Sequence, residues 1–184
     1  MEINLENWLK SDGEIILREF GIKSGQKILD FGCGKGIYSI ISSRIVGNTG
    51  KIYALDYDED PLKELSDKIK TQNIRNIKII KTSKKISIPL NSNSLDIVLM
   101  YDVYHLLDKD DCIKLLDEIY RVLKNNYGIL SYFATHIGSY GIQLKKVQEQ
   151  IKKAGFELKE QFKRPMFHWS WIEEGFIFNY KKIE

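Results

Sequence analysis

The sequence predicts an α/β protein built on a mostly parallel β-sheet with helices on both faces. Two observations support this: apolar strand-like segments alternate with helix-like segments almost from end to end, and the strand-like segments are too apolar to leave one face in water. Parallel sheets that are covered on both faces have strands of this kind. The alternation fails only near the C-terminus, where two strand-like segments follow each other, so one antiparallel strand is expected there.

Local signals place the individual elements along the chain. The predicted strands cover residues 27–31, 51–55, 77–81, 95–101, 128–134, 156–162 and 175–182. The predicted helices cover residues 37–46, 59–72, 109–124 and 140–155. Gly47 and Gly155 end two of them, as C-terminal glycines commonly do, and Pro61 lies in a first turn, where proline is tolerated. The segment before residue 25 is predicted to be a helix and a loop that lie over the sheet.

Composition restricts the kinds of partner that are expected. The net charge is only +3, and the lysines are interleaved with acids along the chain, so a nucleic-acid partner is not predicted. No apolar run approaches the roughly 20 residues that a membrane span requires. The two cysteines, Cys33 and Cys112, are far apart and suggest neither a disulfide framework nor a zinc site. For this reason no metal is expected. The cysteine content and the lack of a recognisable signal peptide predict a reducing cytoplasm.

A glycine-rich turn follows the first predicted strand, in the segment ILDFGCGKGIYS at residues 28–39. In a parallel sheet this is where a ligand is expected, although the glycines could also serve only a tight turn. A dinucleotide-binding turn reads G-x-G-x-x-G, but here Gly32, Gly34 and Gly36 alternate and Ile37 occupies the position of the last glycine. Asp30 would repel a pyrophosphate, so the turn favours a ligand that carries positive charge over a nicotinamide dinucleotide.

An acidic residue ends the second predicted strand. Asp56 lies 22 positions after Gly34 (56 − 34), where a carboxylate can accept hydrogen bonds from both hydroxyls of a ribose. Asp56 and Asp58 could instead be N-caps of the following helix. Asp58 fits the cap position better, so Asp56 is predicted to bind ribose.

Four segments in order give the chain a family resemblance: DFGCGKG, the downstream ALD, NSLDIVLMYDVYHLL and IYRVLKNNYGIL. Together they resemble the class I S-adenosylmethionine-dependent methyltransferases, in particular the small-molecule branch that includes the ubiquinone and menaquinone biosynthesis type. The resemblance covers roughly residues 20–135. It implies a Rossmann-like, seven-stranded sheet in the order 3-2-1-4-5-7-6 with the last strand antiparallel, and S-adenosyl-L-methionine as the cofactor.

The resemblance also implies which residues bind the cofactor. Asp30 would attract the ammonium of the cofactor's methionine end, and the backbone of the glycine turn would lie against the cofactor. Asp56 would take the ribose hydroxyls, Tyr57 would flank the adenine, and Tyr101 would lie beside the cofactor. The implied set is Asp30, Gly32, Cys33, Gly34, Gly36, Asp56, Tyr57, Ser83 and Tyr101.

One position departs from the family pattern. Relatives usually carry an acidic residue after the third strand, where a carboxylate meets the adenine amino group. This chain has KTSKK at residues 81–85, so Thr82 and Ser83 stand there. Ser83 can still form a hydrogen bond with adenine, although a weaker one than a carboxylate would form.

The residues that follow the fourth and fifth strands are candidates for catalysis. His105 and His136 are candidate general bases, and Tyr104 is placed with His105 near the mouth of the pocket. His105 could alternatively cap or pack against the next helix, and Tyr101 and Asp102 could serve cofactor placement alone. The aromatic residues of RPMFHWSW (164–171), expected between the last two strands, could form a substrate wall, core packing or a dimer contact.

The sequence therefore predicts a cytoplasmic methyltransferase, monomeric or homodimeric, that transfers a methyl group to a small-molecule acceptor by in-line displacement. One domain is expected over residues 1–184: an N-terminal helix or lid segment with Trp8 (1–25), a cofactor-binding core (26–135) and a substrate-side half (136–184). The alternatives are an RNA or protein methyltransferase on the same fold and a cofactor-binding subunit without catalysis. Neither the acceptor nor the methylated atom follows from the sequence.

Overall fold

A seven-stranded sheet in the order β3-β2-β1-β4-β5-β7-β6 organises the computed structural model, which describes residues 4–183. The strands are β1 (Lys27–Phe31), β2 (Lys51–Asp56), β3 (Ile77–Lys81), β4 (Ile97–Tyr101), β5 (Ile129–Phe133), β6 (Phe156–His168) and β7 (Trp171–Lys182). The helices are α1 (Leu5–Asn7), α2 (Gly13–Glu19), α3 (Ile37–Val46), α4 (Glu59–Thr71), α5 (Lys109–Val122) and α6 (Leu144–Lys153). A π-helical turn (Trp8–Asp12) joins α1 to α2, and a 3-10 turn (Tyr104–Leu106) precedes α5.

The direction of the strands follows the expected pattern. β1 pairs in parallel with β2 and β4, β2 with β3, and β4 with β5, whereas β7 runs antiparallel to both β5 and β6. The predicted fold class is therefore confirmed, including the strand order and the single reversed strand. Because β6 is antiparallel to β7, its carboxyl end lies at the same edge of the sheet as the carboxyl ends of β1, β2, β4 and β5.

Helices cover both faces of the sheet, which explains the uniformly apolar strands. On one face α2, α3 and α4 contribute Leu17, Ile41 and Leu65 to a buried cluster. On the other face α5 and α6 contribute Leu116 and Ile151 to a second cluster. No helix within residues 4–183 is both long enough and apolar enough to cross a bilayer.

The C-terminal strands are longer than the sequence indicated. β6 was expected to end at residue 162 and β7 to begin at 175, but the two strands pair continuously up to His168 and Trp171. The RPMFHWSW segment is therefore mostly part of a hairpin and not a connection between strands. Trp8 was expected in a lid segment, but its side chain is fully buried. Its Nε1 donates a 2.7 Å hydrogen bond to the Pro165 carbonyl oxygen of that hairpin, so Trp8 is part of the packed structure.

Candidate active site

A cavity of about 460 Å³ opens at the carboxyl ends of β1, β2 and β4. Its volume is within the range of roughly 300–1,000 Å³ that is typical of small-molecule sites. Its walls come from the glycine turn, the end of β2, the segment after β3 and the segment after β4. The lining residues are Phe31, Gly32, Gly34, Leu55, Asp56, Tyr57, Asp58, Pro61, Thr82, Ser83, Lys84, Lys85, Ile86, Ser87, Asp102, Val103, Leu106, Leu107 and Asp111.

Asp56 connects the two loops that form the centre of this cavity. One carboxylate oxygen, Oδ2, accepts a 2.8 Å hydrogen bond from the Gly34 backbone N–H, and Oδ1 accepts one of 3.0 Å from the Asp58 backbone N–H. The Asp58 side chain accepts a hydrogen bond from the Asp60 backbone N–H and caps α4. The two neighbouring aspartates thus have separate structural tasks, and the predicted cap at Asp58 is present.

The glycines of the turn have different surroundings. Gly36 has a φ of +73°, and a Cβ atom there would overlap the buried side chain of Leu65 on α4. Gly34 has a φ of +49°, and no described atom lies within 4 Å of the position that its Cβ would take. Gly36 therefore allows α3 and α4 to approach each other, whereas Gly34 leaves space at the wall of the cavity.

Asp30 lies behind the cavity wall and is almost completely buried. Its carboxylate accepts a 2.6 Å hydrogen bond from the Ser39 hydroxyl on α3. Burial, opposed by the Ser39 hydrogen bond and helped by the nearby Asp56 carboxylate, raises the pKa of Asp30 from 3.8 to about 6. A cation at the adjacent glycine turn would relieve this cost, because it favours the ionised carboxylate.

The predicted cofactor-binding residues divide into two groups. Five of them line the cavity: Gly32, Gly34, Asp56, Tyr57 and Ser83. Tyr57 is half exposed, and the ammonium of Lys84 lies 5.6 Å from the centre of its ring. The other four, Asp30, Cys33, Gly36 and Tyr101, lie outside the cavity lining, and the buried Tyr101 hydroxyl shares a 2.8 Å hydrogen bond with Ser131.

Two of the three candidate catalytic residues meet beside Asp102, although neither of them lines the cavity itself. The rings of His105 and His136 are 4.0 Å apart between their centres, and both approach Asp102, which lines the cavity. Burial and the neighbouring His136 lower the pKa of His105, although Asp102 opposes this, so the imidazole is neutral at pH 7. Tyr104 points elsewhere, because its hydroxyl donates a hydrogen bond to the Gln150 side chain on α6.

A third histidine belongs to this group and was not selected as a catalytic candidate. His168 Nε2 lies 3.1 Å from Asp102 Oδ2, and its ring centre is 5.0 Å from that of His136. His168 ends β6, which the sequence pattern ended six residues too early. The two successive strands predicted at the C-terminus are the signal that could have found it. They indicate a hairpin, and the end of its first strand lies at the same edge of the sheet as His105 and His136.

Exposed aromatic side chains border the histidine group. Trp169 and Tyr140 are 60% and 67% exposed, and their ring centres lie 5.8 and 5.0 Å from that of His136. Trp171 lies 5.5 Å from His168 and is also partly exposed. These three residues, the aromatic rim, give the histidine group an apolar border that faces solvent.

This combination of features defines a class I S-adenosylmethionine-dependent methyltransferase. A model of the methyltransferase domain family matches residues 28–126. The chain belongs to this methyltransferase domain family.

Individual relatives agree with this assignment. A demethylmenaquinone methyltransferase of Geobacillus stearothermophilus is 32% identical over 109 residues, which cover 59% of this chain and 45% of that protein. One of Lactococcus lactis is 26% identical over 159 residues, or 86% of this chain and 62% of that protein. A solved S-adenosylmethionine-dependent methyltransferase of Aquifex aeolicus has a TM-score of 0.77 at 25% identity and covers 96% of this chain and 93% of its own. The chain thus spans about half the length of the first relative.

The glycine turn supplies a prediction that separates packing from ligand binding. Gly36→Ala should lower the free energy of unfolding by about 2–4 kcal/mol. The added methyl group would overlap Leu65, and the alanine would have to adopt the left-handed backbone conformation of Gly36. Gly34→Ala should cost only about 1 kcal/mol but weaken binding of S-adenosylmethionine, since its methyl group would project beside the cavity. Urea denaturation and calorimetric titration measure the two effects. Equal stabilities of the two variants would contradict the assignment.

Proposed function

We propose that this protein transfers a methyl group from S-adenosylmethionine to a small-molecule acceptor by in-line displacement. One observation carries the proposal: a single cavity extends from the Asp56–Gly34 pair to Asp102 beside the histidines. A cofactor held along the glycine turn and an acceptor held near Asp102 would therefore meet in one cavity.

The residues present fit this cofactor. The Asp56 carboxylate already points at the turn and retains accepting capacity for ribose hydroxyls. Asp30 provides a buried negative charge directly behind the turn, which suits a ligand with an ammonium and a sulfonium group. Thr82 and Ser83 line the cavity where an acidic residue is usual, and the Ser83 hydroxyl accepts a 3.3 Å hydrogen bond from the Lys85 backbone N–H.

The chain has little chemistry of its own to perform. Bound S-adenosylmethionine would supply an electrophilic methyl group, so the protein needs mainly to align the acceptor and exclude water. Val103 and Leu107 give the acceptor end of the cavity an apolar wall. The neutral His105 beside Asp102 is the residue placed to accept a proton from an acceptor.

The aromatic rim supports an acceptor with a flat or apolar part. Trp169, Trp171 and Tyr140 can stack on such a group while its reactive atom reaches towards Asp102. The name of the similar enzymes, demethylmenaquinone methyltransferase, agrees with an aromatic acceptor. We therefore propose that phenols, quinols and related small aromatic compounds are the first acceptors to test.

Calorimetric titration with S-adenosylmethionine and its demethylated product tests the cofactor part of the proposal. Both should bind and raise the melting temperature. A failure to bind at millimolar concentration, without stabilisation, would refute it. Formation of demethylated cofactor with a panel of phenols, quinols and thiols tests turnover. Binding without turnover of any acceptor would favour the non-catalytic subunit, and salt-sensitive turnover of RNA would favour the RNA methyltransferase.

A further inference from the structure

All three histidines of the chain converge on one carboxylate. His136 Nε2 and His168 Nε2 lie 3.3 and 3.1 Å from the two oxygens of Asp102, and His105 Nδ1 lies 3.7 Å from Oδ1. The four residues come from the segments after β4 and β5 and from the end of β6. Convergence of every histidine from three separate segments is unexpected for ordinary packing.

These polar atoms are buried and lack the partners that buried groups normally have. Within residues 4–183, no hydrogen bond satisfies Asp102 Oδ1, His105 Nδ1, His136 Nε2 or either ring nitrogen of His168. The His168 side chain is only 6% exposed, and that of His105 is 5% exposed. The nitrogen and oxygen atoms are close, but they are not aligned as donors and acceptors. Unsatisfied buried groups are rare in native proteins and require an explanation.

The distances match the edges of a metal coordination sphere. Tetrahedral zinc with nitrogen and oxygen ligands at about 2.0–2.2 Å holds neighbouring ligand atoms roughly 3.3–3.6 Å apart. The two distances from a histidine nitrogen to an Asp102 oxygen, 3.3 and 3.1 Å, are close to these values, and one ligand atom from each of Asp102, His136 and His168 lies within 4.8 Å of the others. Two imidazoles and a carboxylate suit zinc or ferrous iron.

We propose that Asp102, His136 and His168 bind a divalent first-row transition-metal ion, and that His105 lies beside this site without being a ligand. The ion would give Asp102 Oδ1, His136 Nε2 and His168 Nε2, three of the unsatisfied atoms, a partner at once. Three protein ligands are also the number found in zinc sites that leave a position for water or substrate. No metal was expected because the chain lacks a paired cysteine motif. A site made of histidine and aspartate side chains does not need such a motif.

A second carboxylate supports the site from outside. Glu173 Oε1 lies 2.9 Å from His168 Nδ1, the nitrogen that faces away from Asp102. Glu173 is itself held by a 3.2 Å hydrogen bond from Trp171 Nε1. Metal-binding histidines commonly have such a carboxylate on their other ring nitrogen. Asp102 and Glu173 together carry two negative charges, which balance a divalent cation.

The backbone is strained at the same place. Among the described residues, seven that are not glycine have positive φ, and three of these are asparagines in turns. The other four are Asp102, His136, Tyr140 and Trp169, with φ between 52° and 56°. Positive φ is uncommon in residues other than glycine, above all in bulky ones such as Tyr140 and Trp169, and such residues accumulate at functional sites. Here they bring the ligands and the aromatic rim together.

Titration of the untagged 184-residue chain with Zn²⁺ or Co²⁺, without S-adenosylmethionine, tests the proposal. One equivalent should bind per chain, and Co²⁺ should develop visible absorption bands. Asp102→Asn, His136→Ala and His168→Ala should each weaken binding at least about 10–100-fold, and Glu173→Gln about 10-fold while leaving the ligands in place. Asp110→Asn, on the exposed start of α5, and Cys33→Ser should bind as the parent does.

The outcomes distinguish this proposal from the proposed function. Absence of stoichiometric binding, or binding that none of the four site variants weakens, would overturn the metal site even if S-adenosylmethionine binds normally. Melting curves identify any variant that fails to fold, and Glu173→Gln then provides the decisive comparison. A bound ion would also exclude His136 as a free general base, because its nitrogen would be coordinated.

Discussion

Replacing Asp56 with alanine is expected to weaken S-adenosylmethionine binding by about 100-fold or more. Two charge-assisted hydrogen bonds to ribose hydroxyls, at roughly 1.5 kcal/mol each, correspond to that factor. The same carboxylate accepts the Gly34 and Asp58 backbone N–H groups, so its loss also loosens the turn against the cofactor. Calorimetric titration gives the dissociation constant, and thermal melting reports whether the loop still folds.

Asp60 provides the matched control for Asp56. Its side chain is 90% exposed at the start of α4, so Asp60→Asn removes one negative charge nearby without touching the cavity. This variant should bind the cofactor within about twofold of the parent, since exposed charges are screened. Asp56→Asn retains one oxygen acceptor and should give an intermediate loss. Equal losses in the Asp60 and Asp56 variants would contradict a direct ribose contact.

Replacing Asp30 with asparagine is expected to stabilise the ligand-free chain and weaken the cofactor complex. Since burial raises the pKa of Asp30 from 3.8 to about 6, the folded state holds this proton more tightly than the unfolded chain. The stability contribution of Asp30 is therefore present below pH 3.8 and lost as the pH rises towards 6. Above that pH, Asp30→Asn should raise the free energy of unfolding by up to about 2–3 kcal/mol.

The pH dependence of cofactor binding should show the opposite sign. A cation beside Asp30 favours the ionised carboxylate, so affinity should rise as the pH increases from 5 to 7, by up to about tenfold per unit below pH 6. The Asp30→Asn variant should bind S-adenosylmethionine weakly, and its affinity should lack the part of the pH dependence that comes from the Asp30 carboxyl. Ser39→Ala is the control, because it keeps the charge but removes the hydrogen bond that lowers the pKa of Asp30. The pH dependence of cofactor binding by Ser39→Ala should therefore move to higher pH. If Asp30→Asn binds the cofactor as tightly as the parent, Asp30 does not attract the cofactor's ammonium group.

Local patterns were sufficient for most of the fold. Helix α3 and strand β3 have the predicted bounds, because glycines and a short apolar run mark them unambiguously. Helix α6 begins at Leu144 and not at 140, since Gly138 and Gly141 have positive φ and hold the preceding segment in a loop. The ends of β6 and β7 were missed because the strands project beyond the parallel sheet and pair only with each other. Their pattern is therefore not that of a buried strand.

The sequence by itself determined the class of protein, and it predicted five residues that line the cavity where a cofactor is proposed to bind. Those features lie within contiguous segments: a glycine turn after one strand, an aspartate at the end of the next, and a regular order of elements. Only the tertiary structure decided that the two predicted histidines, His105 and His136, meet His168 at Asp102. Asp102 and His105 follow β4, whereas His136 and His168 lie far from them in sequence, and the common direction of β4, β5 and β6 brings the carboxyl ends of these strands to one edge. No spacing along the chain encodes that meeting, because it depends on the order of strands across the sheet.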